Sequence, residues 1–293
     1  MDDQVGSTSP KELSAGPRPL WKRLLAPLAI IGALFAKFKF ALLFIFKIKI
    51  FATAGSMLVS IGAYALIWPW QFAVGVVLLL FVHELGHVIE AKRQGIPVEG
   101  VYFLPFMGAV MLSKEAAKDA AKGAWLGLAG PILGSAAAFL CWGIGVALDS
   151  NLFRALAFVG FIINLFNLIP VPPLDGGYAT AVFHPVFWVF GLIGLVAMLV
   201  IVPNPILIII VAFAGFGFWK QWKMRQDPSR RHYFEVSDRQ RAAIAVVYLG
   251  LAGLLALSAN ATHLKRSIEG ARSSAIHSTP ATGLDATLHQ KRG

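Results

Sequence analysis

The chain has 293 residues, of which 57% are hydrophobic and only 14% are charged. This composition is too apolar for a soluble domain of the same length, so it indicates a protein that resides in a lipid bilayer. The net charge of +11 comes from Lys and Arg residues that cluster beside apolar segments, a pattern that membrane topology explains without a nucleic acid partner, and the one cysteine, Cys141, excludes an internal disulfide.

The N-terminal region divides into a polar part and an apolar part. Residues 1–23 are polar and lack the apolar core of a cleaved signal peptide, so we expect a flexible cytoplasmic tail. Residues 24–50 are apolar but contain Lys37, Lys39, Lys47 and Lys49, which are costly at the centre of a bilayer. We therefore expect this segment to be interfacial or re-entrant.

The following apolar segments predict membrane-spanning helices, because about 20 residues of helix cross the hydrocarbon core. They are residues 51–68, 71–93, 122–148, 152–174, 186–202, 205–222 and 241–259. The predicted fold class is an all-α polytopic membrane protein with about six to seven transmembrane helices. We assign residues 24–259 to one membrane-embedded domain, and we expect residues 260–293, rich in Ser, Ala and Thr, to be a disordered tail.

One segment between the predicted spans departs from the helical pattern. Residues 98–112 are rich in Val, Tyr, Phe and Met and are interrupted by Gly100, Pro105 and Gly108. This pattern predicts two short strands that form a membrane-associated β-hairpin.

The basic residues predict an orientation. Most of the 26 Lys and Arg residues lie before residue 50, between Lys92 and Lys122, or between Lys220 and Arg241. The positive-inside rule then places these loops and the N-terminus in the cytoplasm. A bacterial inner membrane is our first choice, and an organelle membrane stays open.

The sequence His83-Glu84-Leu85-Gly86-His87 lies near the end of the second predicted span. Two histidines at positions i and i+4 share one face of a helix, so both imidazoles can bind one Zn²⁺, and the intervening Glu lies beside the metal-bound water. Ionisable groups at membrane depth are expensive unless a partner such as a metal compensates them. The motif therefore predicts one zinc ion per chain with Glu84 as the catalytic base.

A third metal ligand has to come from another part of the chain. Asp175 follows three prolines at the end of the fourth predicted span, and it is followed by Gly176 and Gly177. The predicted topology places it on the cytoplasmic side, level with the two histidines. Asp175 is therefore the predicted third ligand, held at an unwound point that lines a cavity.

Together, the HELGH sequence and Asn167-Leu-Ile-Pro-Val-Pro-Pro-Leu-Asp175-Gly resemble the paired motifs of the site-2 protease family over residues 71–180. The resemblance implies a three-helix catalytic core, zinc on His83, His87 and Asp175, and a transmembrane protein as substrate. It also implies that Asn167 binds substrate or polarises the scissile carbonyl, a role that nearby Asn164 could share.

The sequence departs from the family pattern in two respects. Many relatives carry Gly-Pro-x-x-Asn in the middle core helix, whereas this chain has Gly134 in place of the asparagine. The glycines of this helix have the small-x-x-x-small spacing of close helix packing. The length of 293 residues also leaves no room for the regulatory modules inserted in many relatives, so we expect any such regulation to come from a partner protein or to be absent.

Two other functions remain open from the residues alone. A metal-ion or proton-coupled transporter would also place His, Glu and Asp in a membrane. A catalytically inactive membrane scaffold would keep the motif without its reaction. The sequence shows no evident inverted repeat, and the HELGH helix paired with a Leu-Asp-Gly turn suits a hydrolytic site better than a transporter. The intact Glu84 and the complete set of ligands argue against an inactive scaffold.

Overall fold

The computed structural model describes residues 50–278, with side chains up to residue 263. The predictions for residues 1–49 and 279–293 lie outside the described residues. The elements from Ala52 onward form one compact unit. In chain order they are α1 (Ile50–Ala65), α2 (Trp70–Arg93), β1 (Val98–Leu104), β2 (Gly108–Ser113), α3 (Ala120–Ala147), α4 (Asn151–Asn167), α5 (Asp175–Ala179), α6 (Val186–Ile201), α7 (Pro205–Gln226) and α8 (Asp238–Ser278).

The helices confirm the predicted fold class of an all-α polytopic membrane protein. Within residues 50–278, four helices are long and apolar enough to cross a membrane, namely α2, α3, α7 and α8. The apolar helices α1, α4 and α6 are shorter, at 10 to 17 residues. The chain is therefore an integral membrane protein.

The core of the unit is built from α2, α3 and α4, which pack directly on one another. Glycines permit the close approach: a Cβ atom on Gly86 of α2 would overlap the Ala129 carbonyl of α3, and one on Gly160 of α4 would lie 2.8 Å from the Cβ of Ala138. Small residues at helix interfaces let backbones approach closely in a bilayer, where dispersion contacts replace the hydrophobic effect.

We expect Gly86→Ala to destabilise the protein, because the new methyl group would meet the backbone of α3. Overpacking of this kind typically costs about 1–3 kcal/mol. The matched control is Gly143→Ala in α3, where nothing lies within 4 Å of the added Cβ. Thermal unfolding in detergent should show a lower midpoint for Gly86→Ala only, and equal midpoints would contradict the close packing of α2 on α3.

The fourth apolar helix ends earlier than predicted. We expected the span to continue to residue 174, but α4 ends at Asn167, and an irregular segment leads to Asp175. Pro170, Pro172 and Pro173 explain the difference, since proline removes a backbone donor and clashes with the preceding turn. The irregular segment is buried at Val171, so it is part of the packed interior.

The predicted β-hairpin is present, with β1 and β2 antiparallel and Val101 opposite Met111. Helix α1 covers the outer edge of β1: Thr53 Oγ1 donates to the Val101 carbonyl at 2.8 Å, and the backbone N–H of Phe103 donates to Ser56 Oγ at 3.1 Å. Side chains of α1 thus form hydrogen bonds with backbone groups of β1 that a further strand would otherwise pair with.

Helix α8 runs from Asp238 to Ser278 and so continues beyond the predicted span of residues 241–259. The segment after residue 260 contains Ala, Leu, Lys, Arg and Glu among its Ser residues, and these are good helix formers. Composition alone underestimated how far a helix that has already begun can propagate.

Candidate metal centre

Helix α2 brings His83 and His87 together inside the bundle. Both side chains are buried, and their Nε2 atoms lie 3.2 Å apart because residues four apart share one face of a helix. The neighbouring Gly130 of α3 has no side chain, and a Cβ atom there would overlap the ring of His87. The absence of a side chain at position 130 therefore leaves room for both imidazoles.

The second nitrogen of each ring faces a hydrogen-bond acceptor. His87 Nδ1 lies 2.8 Å from the Leu126 carbonyl, and His83 Nδ1 lies 2.9 Å from Asn164 Oδ1. Because both partners are oxygens that accept, each Nδ1 carries the proton, and each Nε2 of the neutral ring is left with a lone pair. With both rings neutral, two lone pairs face each other across 3.2 Å, which is repulsive unless a proton or a metal cation lies between them.

Asp175, the first residue of α5, completes the cluster. Its Oδ2 lies 3.0 Å from His83 Nε2, and its Oδ1 lies 3.3 Å from His87 Nε2. Oδ2 is buried, and when His83 Nε2 is unprotonated it has no hydrogen-bond donor among the described residues. A buried carboxylate oxygen without a donor is costly, so a metal cation bound beside both groups would stabilise it.

The separations match those around a tetrahedral metal ion. Bonds of about 2.0–2.1 Å in a tetrahedral site place neighbouring ligand atoms about 3.3 Å apart. The observed separations among His83 Nε2, His87 Nε2 and the Asp175 oxygens are 3.0 to 3.3 Å. The residues present thus fit one metal ion with three protein ligands, which leaves a fourth position open.

Glu84 lies beside this cluster and is buried. A carboxylate oxygen of Glu84 and one nitrogen from each of His83 and His87 lie within 4.8 Å of one another. The backbone N–H of Met111 in β2 interacts with the Glu84 carboxylate. The hairpin therefore runs directly past the candidate metal centre.

Hydrogen bonds from two side chains hold the turn that presents Asp175. The indole Nε1 of the fully buried Trp188 donates to the Gly177 carbonyl at 3.0 Å, and Thr180 Oγ1 donates to the Gly176 carbonyl at 2.6 Å. A Cβ atom on Gly177 would overlap the backbone of Pro172. Close backbone packing and these two donors thus fix the position of the carboxylate.

The structure separates the two asparagines that the sequence singled out. Asn164 is buried and contacts His83, whereas Asn167 donates its Nδ2–H to the Ile163 carbonyl of its own helix at 3.1 Å. Sequence reasoning did not identify Leu126, Met111 or Trp188. The first two act through backbone groups, which leave no signal in the residue type.

Part of this chain is similar in sequence to known proteins. The model of peptidase family M50 matches residues 71–150, a segment that contains the HELGH helix and ends before Asp175. A zinc metalloprotease of Methanocaldococcus jannaschii is 32% identical over 109 residues, which are 34% of this chain and 31% of that protein. A putative zinc metalloprotease of Mycobacterium tuberculosis is 33% identical over 130 residues, 40% of this chain and 33% of that protein.

Stage IV sporulation protein FB of Bacillus subtilis is 28% identical over 102 residues, 34% of this chain and 35% of that protein. The chain therefore spans about a third of the length of the curated relatives it matches. Residues 71–150 of this chain match the model of peptidase family M50, and the predicted resemblance to the site-2 protease family is confirmed.

Proposed function

We propose that this protein is an intramembrane zinc metalloprotease, which hydrolyses peptide bonds within or next to transmembrane helices of membrane proteins. The observation that carries the proposal is the convergence of His83 Nε2, His87 Nε2 and the Asp175 carboxylate at separations of 3.0 to 3.3 Å. Two imidazoles and a carboxylate, with a fourth position kept open, form the donor set of hydrolytic zinc centres. The relatives named as zinc metalloproteases support one Zn²⁺ per chain.

Glu84 is the proposed catalytic base. A bound Zn²⁺ supplies Lewis acidity toward a water molecule and the scissile carbonyl. The Glu84 carboxylate, buried beside the ligand nitrogens, takes the proton of the attacking water. It then delivers this proton to the leaving nitrogen as the peptide C–N bond breaks.

The substrate segment has to be unwound before it is cut, because the carbonyls of a helix are hydrogen-bonded and sterically covered. The hairpin offers a place for an extended segment, since backbone hydrogen bonds to a strand edge tolerate varied side chains. Helix α1 occupies the edge of β1, and β2 runs past Glu84. We therefore assign substrate docking to the β2 side, and substrates should carry helix-weakening residues near the cut.

We assign Asn167 the role of an electrophile that polarises the scissile carbonyl of the substrate. Its amide is only partly buried, at the end of α4 next to the irregular segment that leads to Asp175. An amide N–H near the reacting carbonyl would stabilise the charge that develops there.

The proposed site faces the cytoplasm of a bacterial inner membrane. Helix α2 ends with Lys92 and Arg93, and α7 ends with Lys223 and Arg225, as the positive-inside rule requires for cytoplasmic ends. Any regulatory partner would be another membrane protein.

Cysteine labelling tests this orientation. In a Cys141→Ser background, Lys118→Cys lies in the exposed stretch before α3 and should react with a membrane-impermeant maleimide only after the cells are permeabilised. Asn151→Cys, at the exposed start of α4 just beyond the other end of α3, is the matched position and should react in intact cells. Labelling of Lys118→Cys in intact cells would contradict the cytoplasmic assignment.

The proposed activity is tested by incubating the purified protein with a panel of membrane proteins that have helix-weakened transmembrane segments. The protein is assayed after metal removal, after zinc is restored, and in liposomes that report zinc uptake. Cleavage that requires zinc supports the protease. Zinc uptake without cleavage of any substrate would favour a transporter instead.

A further inference from the structure

We infer that Asn164 is a positioning residue that fixes the orientation and tautomer of His83, and that the missing side chain at Gly134 makes room for it. The inference rests on the proposed zinc site and adds a residue to it. It assigns Asn164 no contact with substrate.

The Asn164 amide is held at both ends. Its Nδ2–H donates to the Gly160 carbonyl at 2.7 Å, and its Oδ1 lies 2.9 Å from His83 Nδ1. Because the amide nitrogen faces a carbonyl, the amide oxygen has to face the histidine. His83 therefore donates from Nδ1 and presents the lone pair of Nε2 toward Asp175, 3.0 Å away.

Helix α3 is shaped around this amide. A Cβ atom on Gly134 would overlap Asn164 Oδ1 and lie 3.0 Å from both Cγ and Nδ2. Any side chain at position 134 would thus enter the space that the Asn164 amide now occupies. The amide reaches from α4 across to α2 through the gap that Gly134 leaves.

The contacts of Asn164 favour a role in positioning His83 over a role in substrate binding. The Asn164 side chain is only 2% exposed, and both its donor and its acceptor are engaged within the protein. Outer partners of metal-binding histidines hold the ring in place, and their loss typically lowers metal affinity by about 10- to 100-fold. The partner of His87 is a backbone carbonyl, whereas the partner of His83 is a side chain that substitution can test.

The test measures zinc affinity of the full-length protein by chelator competition, together with the visible spectrum of the Co²⁺-substituted site. We expect Asn164→Leu to weaken zinc binding about 10- to 100-fold and to change the Co²⁺ spectrum. Asn164→Asp keeps an acceptor for His83 Nδ1–H, so its affinity should stay within a few-fold of wild type. Asn151→Leu is the matched control, at the exposed start of the same helix, and should bind zinc normally.

Moving the side-chain amide from position 164 of α4 to position 134 of α3 gives a second measurement. Asn164→Ala should bind zinc weakly, and adding Gly134→Asn to it should recover affinity, because the new amide enters the same space from α3. Wild-type affinity in Asn164→Leu, or equal losses in the Leu and Asp variants, would overturn the inference. A wild type that binds zinc but cleaves nothing would contradict the proposed function, and the affinity comparison would still decide this inference.

Discussion

Replacing Glu84 by Gln should lower the rate of peptide cleavage by about 10²- to 10⁴-fold, the usual contribution of a general base. Glutamine keeps the shape of the side chain but does not accept the proton of the attacking water. Zinc content should stay near one ion per chain, because the proposed ligands are His83, His87 and Asp175. Single-turnover cleavage rates and elemental analysis of the same preparation measure the two effects.

The matched control is Glu90→Gln, which makes the same chemical change six residues further along α2. Glu90 accepts a hydrogen bond from Gln94 and pairs with Arg93. Its replacement should leave cleavage within a few-fold of wild type. If Glu84→Gln and Glu90→Gln cleave equally well, Glu84 is not the base.

Replacing Asp175 by Asn should remove zinc and activity together. The change keeps the size of the side chain but removes the charge that would offset Zn²⁺ in this buried site, and a neutral amide is a poorer ligand. We expect a loss of zinc affinity greater than the 10- to 100-fold that loss of an outer partner costs. Chelator competition followed by elemental analysis measures it.

Asp238→Asn is the control for Asp175→Asn, because Asp238 is exposed in the first turn of α8. It should bind zinc as the wild type does. Circular dichroism confirms that both variants keep their helices. Retention of tightly bound zinc by folded Asp175→Asn would exclude Asp175 as a ligand.

Local sequence patterns predicted most of the fold. Long apolar segments and Pro-Gly breaks gave the helix order, because a bilayer permits few alternatives to helix. The strand-forming residues between α2 and α3 predicted the hairpin. The end of α4 and the length of α8 were placed wrongly, since the limits of an apolar segment need not coincide with the limits of a helix.

The part of the candidate centre that lies on one helix could be predicted from the sequence, because metal binding requires side chains at a fixed spacing along that helix. The two histidines and Glu84 lie on one helix, and their grouping follows from helical geometry. The contacts around them depend on how α3, α4 and the hairpin pack. The Leu126 carbonyl and the Met111 N–H are backbone groups that every residue has, so only the tertiary structure identifies them.

We propose that the buried centre of His83, His87 and Asp175 cuts peptide bonds in the membrane. Its most direct test is mass spectrometry of a helix-weakened transmembrane substrate after incubation in liposomes with zinc-loaded wild type or Glu84→Gln. The proposal predicts two complementary fragments, with the cut within or next to the transmembrane segment, from the wild type alone. Intact substrate after incubation with zinc-loaded wild type, across a panel of such substrates, would contradict it.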